Sequence, residues 1–371
     1  MVRRPDSWIR LGLLACALAL ATAGGRLHGQ SRAGESFAAR IDRLSEPGGY
    51  FDTDNLISNE RSYLHPIDAL RESGVSGGVY IGVGPDQNFS YIAQIRPSMA
   101  FIIDVRRDNL LLHLLFKALF TVSRDRAEYL GLLFGRPPPP AGLRSGGDLR
   151  RTTVRELAEY VDGVSATAAS AASALARADA ALARFGVALT REDRDTIARF
   201  HRRFIAAGLS LRFQSTGRAP RSDYPTYRDL LLETDRGGRD GHYLASDDAF
   251  EFVKSLQLRD GITPVVGDLA GDRAMASIAR DMADRNARLS AFYTSNVELY
   301  LAQDGLLPRF VANLARLPHD GRSVIIRTVF RTTTAESVPG YSSTSFVRPV
   351  AGLLDRHDRG RIRSYWDLID Q

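Results

Sequence analysis

In this chain, acidic and amide side chains stand at the ends of successive apolar runs, where they could hold a small polar molecule. Residues 79–81 (VYI) run into Gly82-Val83-Gly84, residues 100–103 end in Asp104, Ile262–Val266 ends in Gly267-Asp268, and residues 289–294 end in Ser295-Asn296. Glycines after a first strand let the backbone approach a ligand with no Cβ in the way. The helix that follows offers free N–H groups and a positive dipole end to a carboxylate or phosphate. An acid after the second strand accepts hydrogen bonds from ribose hydroxyls. Gly82 and Asp104 are 22 residues apart, close to the ~20 of a nucleoside-binding fingerprint. On the same logic Asp268 accepts from an adenine amino group and Asn296 faces a substrate. Capping of the following helix is the competing use of any one such acid. Four consecutive strand ends are harder to assign to capping alone.

Gln87 stands where G-x-G-x-x-G would have its third glycine. That glycine serves close helix packing beside a pyrophosphate, so a nucleoside ligand without a pyrophosphate fits better than a dinucleotide. Just before the first strand, Asn59, Glu60, Arg61, Tyr63 and His65 form a dense polar group. It could close over a ligand, with Tyr63 or His65 as acid or base, or serve only as caps and salt bridges. Asp52-Thr53-Asp54 is a D-x-D, a pattern that holds a divalent metal in some glycosyltransferases; hydration or capping is its ordinary use. The histidines show no zinc spacing, and neither a nucleophile elbow nor a P-loop occurs. No metal site is expected.

The elements that must position these residues are legible as periodicity. Short β-branched runs alternate with amphipathic stretches at 86–94, 109–122, Asp247–Leu258, 273–285 and 306–317, with further strands at 323–330 and 342–350. This is a βαβ pattern. A Pro-rich stretch at 137–140 breaks it, and an alanine-rich helical region follows over 152–204, with Thr190 and Asp193 as an N-cap signature. Residues 217–241 read as a long loop or lid. The organisation expected is a leader over 1–30, a lead-in over 31–78, an α/β domain over 79–135 and 242–350, a helical insertion or lid over 136–241, and a tail over 351–371. The fold class expected is α/β, a mostly parallel Rossmann-like sheet with helices on both faces and a large helical insertion.

The leader has Arg3, Arg4 and Arg10 before the apolar run at 11–23, which ends in Ala21-Thr22-Ala23, an A-x-A-like cleavage site. The run is too short for a comfortable span of ~20 residues. Export to the periplasm or cell surface is therefore expected, with an uncleaved N-terminal anchor as the alternative and the only expected contact with a membrane. Cys16 is the single cysteine, so a chain cleaved after the leader has no thiol and no disulfide. Net charge is +6, nearly all of it from arginine, because Lys117 and Lys254 are the only lysines. Acids are interspersed throughout and no basic block carries interleaved aromatics, so nucleic acid is not an expected partner.

From Val79 to Arg331 the chain resembles the class I S-adenosylmethionine-dependent methyltransferase fold. VYIGVGPDQN looks like its first motif, FIIDVRRD like the acidic second, TPVVGDLAG like the third and AFYTSNVEL like the fourth. The resemblance implies S-adenosylmethionine as cofactor, with Gly82, Gly84 and Asp86 along the methionine part, Asp104 on the ribose, Asp268 at the adenine edge and Asn296 on the substrate side. Catalysis would be mainly positioning of an acceptor, aided by Asn296 or Tyr63; the acceptor is not specified. FDTDNLISNERSYLHPIDAL with GGVYIGVGPDQNFSYI is similar to an uncharacterised exported bacterial family first noted in leptospires, which implies fold more than activity. The alternative expectation is an exported binding protein that keeps the fold for a nucleoside-like ligand without methyl transfer.

Overall fold

A computed structural model of the chain describes residues 34–53, 55–140, 152–215, 219, 221–362 and 364–369. The leader, with Cys16, and Asp54 of the D-x-D pair lie outside these residues. No helix among the described residues is long and apolar enough to cross a membrane.

Six strands form one sheet: β1 Val79–Gly82, β2 Met99–Asp104, β3 Ile262–Val266, β4 Leu289–Ser295, β5 Val324–Phe330 and β6 Ser343–Pro349. Their order is β3-β2-β1-β4-β5-β6. Neighbours pair in parallel except β6, which runs antiparallel to β5. Every residue of β1 and β3 is buried, as expected of parallel strands covered on both faces, which read as continuous apolar runs. The chain moves outward from β1 through β2 to β3, then returns to the other side of β1 for β4 and β5. This reversal opens a crevice at the carboxyl ends of β1 and β4, the place where open α/β sheets take ligands.

The crossovers are helical. Gln87–Ile95 joins β1 to β2, Ala274–Asp284 joins β3 to β4, and Leu307–Arg316 lies between β4 and β5. Arg107–Val122 follows β2 and is buried along most of its length. It is sheathed by Ala168–Leu182 and Arg191–Ala207. The Thr190 side chain accepts from Asp193 N and the Asp193 carboxylate accepts from Thr190 N, closing the expected capping box. Asp193 also takes two bonds from Arg107, at 2.7 and 2.9 Å, and this pairing holds its pKa down to about 2. The apolar faces of these helices join the same core as the sheet.

Two segments are more structured than the periodicity suggests. The 217–241 region contains the helix Tyr227–Leu231, and Tyr227, Leu230 and Leu231 are buried. The C-terminal stretch carries the helix Val350–Asp358, anchored by buried Val350 and Leu353.

The lead-in is stitched across the carboxyl edge of the sheet. Glu46 N donates to Val266 O at 2.9 Å and Gly49 N to Val105 O at 2.7 Å. A Cβ on Gly49 would lie 2.7 Å from Val105 Cγ2, so the close approach requires glycine there. The Glu46 carboxylate then accepts from Asp268 N and Ala274 N. It stabilises the start of Ala274–Asp284, where an acid suits the helix dipole.

Candidate functional site

A cavity of about 280 Å³ opens at the carboxyl ends of β1 to β4, near the lower end of the ~300–1,000 Å³ range of ligand pockets. Its floor is made by Gly84, Gln87, Asp104, Asp268, Ser295 and Asn296. Lead-in residues Tyr50 to Thr53, Asn55 and Ser58 to Glu60 cover one side, and Phe213, Ser215 and Tyr224 approach from the other. The two covers meet where Thr53 and Ser215 form an antiparallel bridge.

Of the residues singled out in the sequence, Gly84, Asp104, Asp268 and Asn296 line this cavity. Gly84 has φ +80°, a left-handed conformation that glycine adopts without a steric penalty. Gly82 lies behind the wall. A Cβ there would fall 1.9 Å from Asn88 Oδ1, so its smallness serves the packing of the turn. Asn88 holds that turn: its amide donates to Val83 O, Gly84 O and Pro85 O, and its Oδ1 accepts from Tyr80 OH. His113 supports it from beneath, with Nε2 2.9 Å from Gly84 O. Burial lowers the His113 pKa to about 4, so the ring is neutral near pH 7.

Two expected site residues are placed elsewhere. Asp86 is buried away from the cavity and accepts from Tyr227 OH at 2.8 Å and Tyr243 OH at 3.1 Å. Burial pushes its pKa up to about 6, opposed by these two bonds. Tyr63 is also buried outside the cavity walls, with its hydroxyl donating to Leu230 O at 2.9 Å. Its neighbour His65 stacks edge-on against Tyr341. Tyr63 and Asp86 thus join the lead-in and first turn to the 227–243 segment; they do not converge with Asn296.

The Asp104 carboxylate is already engaged. Its Oδ1 accepts from Arg106 N at 2.9 Å and Arg106 Nε at 3.0 Å, and its Oδ2 accepts from Arg106 Nη2 at 2.7 Å. Arg106 Nη1 donates to Thr53 O. A carboxylate oxygen has two lone-pair sites, so Oδ2 keeps one for a ligand hydroxyl. Asp268 accepts from Ala270 N at 2.9 Å through Oδ1. It therefore shapes the turn after β3 as well as the wall. Gln87 donates Nε2 to Tyr293 OH, while its Oε1 is buried without a partner.

The residue that sequence reasoning placed only in a general polar cluster is Glu60. It is fully buried and lines the cavity. Its Oε2 accepts from Tyr293 OH at 2.6 Å and Thr328 Oγ1 at 2.7 Å, and its Oε1 accepts from Ser295 Oγ. Burial raises its pKa, and these three hydroxyl bonds partly offset the rise. The signal was faint: Thr328 interrupts the apolar β5, and Ser343 and Ser345 alternate along β6 toward one face. Those hydroxyls are linked through Ser62 and Ser345 to Thr328.

Ser295 has φ +54°, where a residue with a Cβ is held at a cost of about 1–3 kcal/mol. The β4–β5 register shifts between Tyr293 and Ser295. This irregularity brings the Ser295 hydroxyl onto Glu60. Among the described residues, the cavity wall carries five acids (Asp52, Glu60, Asp104, Asp268 and Asp304) against one cation, Arg106. The field inside is therefore acidic although the whole chain is basic. No group of three or more His, Cys, Asp or Glu placed to hold a metal occurs among the described residues.

Fold and site together define an α/β protein with an acidic cavity at the point where its sheet changes direction. Residues 55–135 and 165–353 match the family described as "Domain of unknown function (DUF7790)", and the chain belongs to that family. The matched residues include all six strands. Comparison with curated proteins gave no significant match.

Proposed function

We propose that this cavity binds S-adenosylmethionine or a closely related nucleoside, and that the protein is methyltransferase-like. The observation that carries the reading is the excess of acids over cations in the cavity wall, two of the acids, Asp104 and Asp268, standing at the carboxyl ends of parallel strands. Such a field favours a sulfonium- and ammonium-bearing nucleoside and disfavours the pyrophosphate of a dinucleotide. The strand order supports a Rossmann-like sheet, and the helices over 154–207 serve as its insertion.

The acceptor set suits the ligand. The spare Oδ2 lone pair of Asp104 takes a ribose hydroxyl, and the free oxygen of Asp268 faces the adenine amino group. Gln87 and Gly84 line the end of the cavity that takes the amino-acid part, where Gly84 lets the backbone approach. S-adenosylmethionine, when bound, supplies an electrophilic methyl group. Asn296 orients the acceptor beside it, and the lead-in covers the site from water.

Calorimetry with S-adenosylhomocysteine tests the reading. Micromolar binding by the wild type, weakened about tenfold or more in Asp104→Ala as expected for a lost charged hydrogen bond, is the expected result. No binding by the folded wild type would sink it. A second reading, nucleoside binding without transfer by an exported protein, is favoured by the seclusion of Tyr63 from Asn296. Cellular location separates the two, because S-adenosylmethionine is made in the cytoplasm. A cytoplasm-facing form suits the enzyme, and a released form suits the binding protein.

A further inference from the structure

A second cavity of about 190 Å³ adjoins the first and shares Asn59, Tyr224, Asn296 and Tyr300 with it. Its remaining wall includes Phe330, Tyr365 and Trp366. Trp366 is 49% exposed, one of few large apolar side chains so open among the described residues. The two cavities therefore meet at Asn296, beside Ser295 and the carboxyl of Glu60.

Glu60 has three hydroxyl donors and no ion pair with any cation among the described residues. An unpaired buried carboxylate is costly. Tyr293 faces it from β4 and Thr328 from β5, and Tyr80, Tyr91 and Tyr365 stand within electrostatic range. Of its donors, Ser295 is the one that lines the first cavity directly. A purely structural carboxyl would not need a residue in a left-handed conformation to reach it.

We propose that Ser295 and Glu60 form a proton relay for a small aromatic acceptor carrying a hydroxyl or amine, which enters through the second cavity. The proposal rests on the methyl-transfer reading above. The acceptor's lone pair forms the new bond to the methyl carbon, and the pair of the broken methyl–sulfur bond stays on sulfur. The acceptor's O–H or N–H proton passes to Ser295 Oγ as the Ser295 proton passes to Glu60 Oε1. Stacking on Tyr300 and Trp366 holds the aromatic body. Ser295 touches the acceptor, and Glu60 acts through it as a positioning and proton-storing residue.

The test uses the full chain as wild type, Ser295→Ala and Glu60→Gln. Three readouts are taken: calorimetry with S-adenosylhomocysteine, methylation of catechol and tyramine as acceptor probes across pH, and the infrared stretch of protonated carboxyl. The relay predicts a carboxyl band that is absent from Glu60→Gln and shifted in Ser295→Ala. It also predicts a rise of probe methylation with pH that both variants lose, together with about 100-fold in rate. A wild type that does not bind S-adenosylhomocysteine overturns the underlying reading. Binding with an unshifted band in Ser295→Ala, or with an unchanged pH limb in both variants, overturns the relay alone. The infrared band is read on the wild type and Ser295→Ala, so the result stands even if Glu60→Gln fails to fold.

Discussion

Among the described residues, Glu60 and Asp86 are both carboxyls without a cation partner, in different surroundings. Glu60 faces a ligand cavity through Ser295; Asp86 faces only tyrosines. For Asp86 the consequence is thermodynamic. Its folded pKa of about 6 lies above the ordinary 3.8. Below the ordinary value both states are protonated and nothing is lost. As pH rises toward 6 the unfolded chain ionises first, so stability falls, by about 3 kcal/mol in all at ~1.36 kcal/mol per pKa unit. His113 and His242 have pKa values lowered to about 4 and about 3 by burial, and they push stability the other way over an overlapping range. The difference between Asp86→Asn and wild type isolates the carboxyl. Urea unfolding from pH 4 to 7 should show the variant gaining about 2–3 kcal/mol relative to wild type. A flat difference would mean that Asp86 is ionised throughout.

Residue roles were the least legible part of the sequence. That Gly84, Asp104, Asp268 and Asn296 line one cavity was readable, because strand ends carry a positional meaning that spacing reveals. Asp86 sat in the same motif, yet its direction depends on Tyr227 and Tyr243, more than 140 residues away. Glu60 read as part of a capping cluster because its hydroxyl partners come from β4 and β5, and only the sheet brings them together.

At the scale of the elements, the turn after β1 is the part on which the site depends most. Asn88 makes four side-chain hydrogen bonds within it, all buried. Asn88→Ala leaves three carbonyls and the Tyr80 hydroxyl short of a partner. A destabilisation of about 2–4 kcal/mol is expected, readable as a lower urea midpoint, with S-adenosylhomocysteine affinity falling as Gly84 is left with His113 alone to hold it. Unchanged stability would show that water or relaxation replaces these bonds. Most elements were legible in the sequence: Asp247–Leu258 and Ile262–Val266 have the bounds the periodicity suggests. The helices Arg126–Leu133 and Val297–Gln303 were not read, since short elements built into a shared core show little amphipathic contrast.

For the whole molecule, the alternation of strands and helices announced an α/β fold, but the lateral order of strands did not follow from it. Order depends on which side of β1 the chain returns to after β3, and no local pattern encodes that choice. The returning chain places β4 beside β1, and this alone creates the crevice in which Gly84, Asp104, Asp268 and Asn296 converge. The lead-in on one side and Phe213, Ser215 and Tyr224 on the other then close around it, so that residues far apart in sequence share one site.

This crevice is proposed to hold S-adenosylmethionine or a closely related nucleoside. The most direct measurement is a crystal structure of the full chain grown with S-adenosylhomocysteine. The ribose is expected against Asp104 Oδ2, the adenine amino group at Asp268 and the amino-acid end toward Gln87. Well-ordered crystals with the ligand bound elsewhere, or with none at saturating concentration, would contradict the account.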